Sequence, residues 1–138
     1  MPVADRITQS AGAASIVKFT TDDATLVGSP VRQKIGGTVG LAAATSRGLA
    51  RVVGLALEAK AIGFAVRVVL RGIVERTDWT AVAGTATLTP GLPYWLDTAA
   101  GKITTVAPTS STDIVARIGR AISTTKLDVQ TEQQTVRL

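Results

Sequence analysis

The chain has 138 residues, a formal net charge of +5, and neither cysteine nor histidine. Its length suits one domain with a single core, and the missing residue types exclude disulfides, thiolate nucleophiles, zinc sites of the Cys/His type and the usual general base. Apolar residues make up 46% of the chain but aromatic residues only 4%, so small aliphatic side chains must fill the core. Such filling favours a thin sheet-on-sheet core or a narrow barrel.

The N-terminal residues contain no apolar segment of the kind that marks a signal peptide. The apolar run 62–70 is interrupted by Arg67. It is also much shorter than the roughly 18–20 residues that span a bilayer. The sequence therefore predicts a soluble protein that is made in a cytoplasm and has no membrane partner.

Almost all predicted elements are strands. Residues 1–14 are small and polar without periodicity, and we interpret them as an extended N-terminal arm. A short helical turn is an alternative prediction for residues 42–47, where alanine is frequent. Residues 131–138 are predicted to form a C-terminal tail or an edge strand. In chain order, the strands are predicted at 15–20, 31–35, 38–42, 49–58, 64–73, 85–88, 93–97, 103–106, 114–123 and 126–130.

Glycines mark the places where these strands turn or bend. Gly36 and Gly37 lie between two alternating segments and indicate a hairpin. Gly54 lies inside an apolar run, where we expect a bulge or the close approach of another backbone. Gly72 should bend the end of the long strand that precedes it.

The chain also contains two copies of one sequence pattern, at about 24–70 and 86–130. The spacing between matched positions drifts only by a few residues, as expected for a duplicated unit with small insertions in its loops. We therefore predict an all-β fold: a compact β-barrel or sandwich built from two related halves, in one domain at 15–130. The matched pairs are Leu26 and Leu88, Pro30 and Pro93, Gly37 and Gly101, and Gly54 and Gly119.

A few large or cationic side chains are candidates for an interface. Tyr94 and Trp95 are adjacent on a predicted strand, so they should point to opposite faces. Trp79 lies at the seam between the halves, where it either plugs one end of the barrel or anchors a contact. Ten of the fifteen cationic residues are arginines, which suit planar contacts with carboxylates. The candidate interface residues are Trp79, Tyr94, Trp95, Arg67, Arg71 and Arg76.

Nothing in the sequence indicates an active site. The carboxylates that could form an acid/base pair or hold a cation all lie at predicted turns, where aspartate commonly bonds to nearby backbone. No catalytic, cofactor-binding or metal-ligating residue is therefore assigned. These carboxylates are Asp22, Asp23, Asp97 and Asp113.

The arginine cluster does not favour nucleic acid as a partner. Glu75 and Asp78 interrupt it, and the aromatic residues that would stack on bases lie elsewhere in the sequence. The alternative interpretation is that the arginines form ion pairs between subunits or face an acidic partner surface.

A series of strand motifs carries a resemblance to a known class of proteins. The segment 52–129 resembles small phage virion proteins that decorate or cement the capsid, and related head-fibre modules. The resemblance implies a β-rich module without enzymatic activity, commonly a homotrimer, that sits on the capsid surface between copies of the major capsid protein. Its motifs are Val53-Gly54-Leu55-Ala56, Val66 to Val74, Gly91 to Asp97, Gly101 to Thr105 and Ile118-Gly119-Arg120-Ala121.

Three functional hypotheses follow. The first is a structural virion protein, a cement or decoration subunit of the capsid surface. The second is a receptor- or carbohydrate-binding module of a head or tail fibre, in which an exposed Trp95 would serve as a sugar platform. The third is an accessory protein that binds nucleic acid, and an enzyme is the class with the least support.

Overall fold

The computed structural model describes residues 15–131 and the backbone of Thr135–Val136. Strands dominate it, and the one helix within that part of the chain is a single turn, α1 (Thr80–Ala83). The predicted all-β fold is confirmed. The strands are β1 (Ser15–Thr20), β2 (Pro30–Gln33), β3 (Val39–Leu41), β4 (Val52–Ala56), β5 (Ala65–Glu75), β6 (Pro93–Leu96), β7 (Ile103–Thr104), β8 (Ile114–Val115), β9 (Arg117–Ala121), β10 (Lys126–Gln130) and β11 (Thr135–Val136).

One antiparallel sheet contains most of these strands and curls into a half-barrel. Its order is β3-β2-β4-β5-β10-β9-β6-β7, and β1 pairs with the first part of the long strand β5. Strands β8 and β11 form a separate short ladder. The centre of the sheet is the pair β5–β10.

The sheet is built from two halves with the same topology. Strands β3-β2-β4-β5 in the first half correspond to β7-β6-β9-β10 in the second, and the two halves meet at β5 and β10. The register agrees as well, because Val31 pairs with Gly54 as Tyr94 pairs with Gly119. In both halves the register shifts immediately after that pair. The two halves therefore agree in strand topology and, at this pair, in register.

Hydrogen bonds in the turns correct one part of the predicted alignment. The carbonyl of Leu26 accepts from the amide of Ser29 at 3.1 Å, and the carbonyl of Thr89 accepts from Leu92 at 3.2 Å. Leu26 therefore corresponds to Thr89, and its predicted match with Leu88 is wrong by one residue. The spacing from Leu26 to Pro30 equals that from Thr89 to Pro93, whereas the predicted match required one extra residue between Leu88 and Pro93.

The buried side chains form two clusters, a smaller one within the first half and a larger one that contains residues of both halves. In the first half, β1 covers one side and a bridge between Thr21 and Val39 brings it to β3. In the second half the corresponding place is taken by α1, which lies against β7. The smaller cluster contains Val31, Val39, Ala56, Val66 and Val68, and the larger one includes Leu55, Trp79, Leu88, Tyr94, Leu96, Ile103, Ile118 and Leu127.

Several local predictions differ from the structure. Residues 85–88 form no strand, residues 42–47 form no helix but contain turns, and the helical turn at Thr80–Ala83 was not predicted. The predicted arm at 1–14 lies outside the described residues. Of the predicted tail at 131–138, Thr135 and Val136 pair with β8, and residues 132–134 and 137–138 lie outside the described part.

No helix among the described residues has the length and apolar character to cross a membrane.

Candidate interface

Two of the three aromatic candidates are core residues. Trp79 is fully buried, and its indole Nε1–H donates to the carbonyl of Thr125 at 3.0 Å. Tyr94 is also buried, and its hydroxyl oxygen accepts from the amide of Thr89 at 2.9 Å. Both polar groups are satisfied within the chain, which is the usual condition for burying them. Trp79 is therefore a core residue and not an interface anchor.

Trp95 lies on the opposite side of β6 from Tyr94, as the strand alternation predicts. Its side chain is half-buried. Across the sheet it pairs with Thr104 on β7 and with Arg117 on β9. This neighbourhood leaves part of the indole ring accessible, whereas Trp79 and Tyr94 present almost none of their surface.

The three arginine candidates have different surroundings. Arg76 points inward, where its guanidinium donates to the carbonyl of Val27 at 2.7 Å. Arg67 and Arg71 are exposed on β5. Trp95 stands on β6, and β10 and β9 lie between that strand and β5. The six candidates therefore do not form one continuous surface.

A different group of residues does form a patch, at the tip of the hairpin between β4 and β5. Phe64 is 61% exposed and Ile62 is 65% exposed, although both are large apolar side chains. Phe64 borders a shallow depression lined by Lys18, Glu58, Lys60, Ala65 and Arg67. We call Lys18, Glu58, Lys60, Ile62, Phe64 and Arg67 the hairpin-tip patch.

Glu58 is the acidic member of the patch and is already engaged. Its Oε1 accepts from the backbone N–H of Arg67 at 3.1 Å, and its Oε2 accepts from the guanidinium of Arg67 at 3.3 Å. The backbone hydrogen bond, followed by the guanidinium contact, lowers the pKa of Glu58 below its ordinary value. Lys18 and Lys60 have no ion pair among the described residues, so the patch presents net positive charge.

Backbone hydrogen bonds hold the hairpin tip in place. The carbonyl of Phe64 accepts from the amide of Thr21 at 3.0 Å, and the carbonyl of Thr21 accepts from Gly63 at 2.8 Å. The buried Thr25 pairs with Lys60 in both directions, with N···O distances of 2.9 and 3.2 Å. Gly63 permits the turn because its φ of +92° is rarely adopted by other residues. The exposed side chains therefore project from a well-anchored turn.

Sequence analysis did not identify this patch. It treated Phe64 as the first residue of an alternating strand, and alternation alone does not say which strand ends project into solvent. One signal was present: Ile62 and Phe64 flank a glycine at a turn, where apolar residues are uncommon.

Three of the four aspartates considered for catalysis or metal binding, Asp22, Asp23 and Asp97, accept hydrogen bonds from other residues of the chain. Asp22 accepts from the hydroxyl of Thr38 at 3.1 Å and from Lys34 at 3.3 Å. Both hydrogen bonds lower the pKa of Asp22, and the bond from Thr38 has the larger effect. Asp23 accepts from the amide of Leu41 at 2.9 Å. Among the described residues, no three acidic side chains come together in a way that could hold a metal ion.

A scan against models of known protein families finds no match for this chain. A search among curated proteins likewise finds no similar sequence.

Proposed function

We propose that this chain is a structural virion protein that binds the outside of a phage capsid and stabilises or decorates the shell. Its partners would be the major capsid protein and further copies of itself in a homotrimer. The resemblance of segment 52–129 to cement and head-fibre proteins is the starting point. That segment runs from the first residue of β4 into β10, so it includes strands from both halves of the sheet.

The motif glycines of that segment have structural roles that support the resemblance. Gly91 and Gly101 adopt φ angles of +88° and +75° at turns. Gly54 and Gly119 lie where another strand passes too close for a side chain. These positions fit a shared β module, because they set the turns and strand spacing on which such a module depends.

The observation that carries the proposal is the hairpin-tip patch, a rigid and exposed apolar surface with a basic border. A patch of this kind is typical of a protein–protein contact. A shell offers the same site many times, and a trimer could engage several sites together. Modest affinity at each site is then multiplied by the high effective concentration of the others.

Binding of this type also explains how such a protein would strengthen a shell. A ligand that binds the assembled lattice but not its separated subunits stabilises the lattice by mass action. The effect depends on occupancy and on selectivity for the closed shell, and it requires no chemistry.

Thermal opening of the shell tests this function. Empty mature heads of the phage that carries this sequence are heated with and without a saturating amount of the chain, and opening is followed by light scattering. We expect opening at a higher temperature in the presence of the chain, by an amount that saturates with its concentration. An unchanged opening temperature at full saturation would contradict a stabilising role. If the chain binds the heads without raising that temperature, its function would be to decorate the shell and not to stabilise it.

A further inference from the structure

We infer that the hairpin-tip patch is the surface that contacts the shell, and that it binds an acidic face of the major capsid protein. This inference rests on the proposed function and specifies where the contact lies and what chemistry it needs. It differs from the interface predicted from the sequence, with which it shares only Arg67.

The apolar part of the patch has no partner within the described fold. Phe64 and Ile62 are among the most exposed large apolar side chains, and neither belongs to the two core clusters. An exposed aromatic ring surrounded by polar side chains is typical of an interface hot spot, because burying it removes a large apolar area from water. Here the ring projects from a turn that can carry it into a neighbouring surface.

The charged part of the patch indicates the sign of the partner. Lys18 on β1 is paired directly across from Arg67 on β5. Like charges in that position are unfavourable. Lys60 lines the same depression, and the nearby carboxylate of Glu58 is already bound to Arg67. A carboxylate-rich surface would relieve this repulsion, so charge complementarity selects an acidic partner.

The rigidity of the tip favours binding to a preformed surface. The hydrogen bonds of Thr21 and Thr25 fix the turn, so little conformational entropy is lost there when a partner docks. A shell is itself an ordered surface with repeated geometry. When two rigid surfaces bind, little of the favourable contact energy is offset by a loss of conformational entropy.

A protein surface fits this patch better than a single nucleic-acid strand does. Non-specific strand binding uses a basic groove with several aromatic rings on which successive bases stack. The hairpin-tip patch has one aromatic ring, Phe64, and an acidic side chain, Glu58, inside its basic border. We therefore assign the patch to an acidic protein partner.

The test measures the affinity of the chain for empty mature heads by depletion in a sedimentation assay. The test variants are Phe64→Ser and the double change Lys18→Glu with Lys60→Glu. The matched controls are Ile35→Ser, an exposed apolar residue at the other hairpin of the first half, and Lys102→Glu, an exposed lysine in the second half. Far-UV circular dichroism and the melting temperature check that every variant is folded.

We expect each test variant to weaken binding by about tenfold or more, and each control to change it by less than about twofold. The lysine double variant should also reduce the dependence of the affinity on salt, because fewer ionic contacts are formed. If both test variants bind heads as tightly as wild type, the hairpin-tip patch is not the contact surface, but the proposed function is unaffected. Failure of the wild-type chain to bind heads would overturn both.

Two other occupants are distinguished in the same experiment. If the test variants lose mass in light scattering, the patch joins copies of this chain and the inference is wrong. If an oligothymidine strand of about 20 nucleotides binds the patch and displaces the heads, nucleic acid is the partner and the inference is also wrong. Unchanged mass and no competition by the oligonucleotide support an acidic protein face.

Discussion

Gly54 and Gly119 occupy the same position in the two halves of the sheet. Each is paired with the last residue before a register shift in the adjacent strand. A Cβ on Gly54 would overlap the carbonyl oxygen of Val69, and a Cβ on Gly119 would overlap that of Asp128. The close approach of the next strand is therefore built into both halves, and neither position has room for a side chain.

Alanine at either glycine should destabilise the fold. Gly54→Ala and Gly119→Ala each place a methyl group against backbone that cannot move without disturbing a central strand. We expect a loss of about 1–3 kcal/mol in the free energy of unfolding, or more. Chemical denaturation measures this loss.

The matched control is Gly48→Ala, because Gly48 has open space around its Cα and lies in a turn. This variant should be neutral or slightly more stable, since alanine restricts the unfolded chain. A loss at Gly48 as large as that at Gly54 would contradict the steric explanation.

Trp79 should be a principal contributor to stability. Replacing it with alanine removes a fully buried indole, and we expect a cost of about 3–5 kcal/mol. Trp79→Phe keeps most of the volume but leaves the carbonyl of Thr125 without its donor, at a cost of about 1–3 kcal/mol. Denaturant unfolding followed by circular dichroism gives both values. If Trp79→Ala and Trp79→Phe lose the same free energy of unfolding, the packing of the indole ring does not contribute beyond its hydrogen bond, and this account is wrong.

Much of the fold was predictable from local signals. The bounds of β1 and β10 match the predicted strands, and Gly37 and Gly101 have positive φ at equivalent turns as the repeat implies. The predictions failed where a short segment depends on its neighbours. The helical turn Thr80–Ala83 is too short to show a period, and its place in the fold corresponds to a strand, β1, in the first half.

The pH dependence of stability should contain a contribution from Glu58. Its pKa lies below the ordinary value of 4.5 in the folded state, so its charged form stabilises the fold. That contribution is fully present above the unfolded pKa and is lost as the pH falls through the lowered folded pKa. Melting temperatures measured across acidic pH should therefore fall less steeply for Glu58→Gln than for wild type.

Arg67→Gln provides the control for this effect. It removes the guanidinium but keeps the backbone N–H of residue 67, which is the larger cause of the lowered pKa of Glu58. We expect a pH dependence between those of wild type and Glu58→Gln. If Glu58→Gln follows the wild-type profile throughout, the carboxylate does not contribute as described.

Substitution of Trp95 distinguishes the shell-binding proposal from the hypothesis of a carbohydrate-binding module. Because Trp95 is half-buried and lies on β6, away from the hairpin-tip patch, Trp95→Ala should change affinity for heads by less than about twofold. A glycan array with wild type and Trp95→Ala provides the other half of the test. Glycan binding that disappears in the variant would favour the fibre-module hypothesis instead.

The candidate interface was less predictable than the fold. Tyr94 and Trp95 were correctly placed on opposite faces, because strand alternation determines that directly. Which arginines reach solvent depends on tertiary structure: Arg76 turns inward to the carbonyl of Val27, whereas Arg67 stays exposed. The exposure of Phe64 depends on how the turn is tied to Thr21, which no local pattern records.

The most direct test of the account is the mass and shell binding of the wild-type chain. Size-exclusion chromatography with light scattering is run on the chain alone and after mixing with empty mature heads of the phage that, under the proposed function, carries this sequence. The account predicts a trimer that elutes with the heads and remains bound after washing. A monomer that elutes separately from the heads would contradict it.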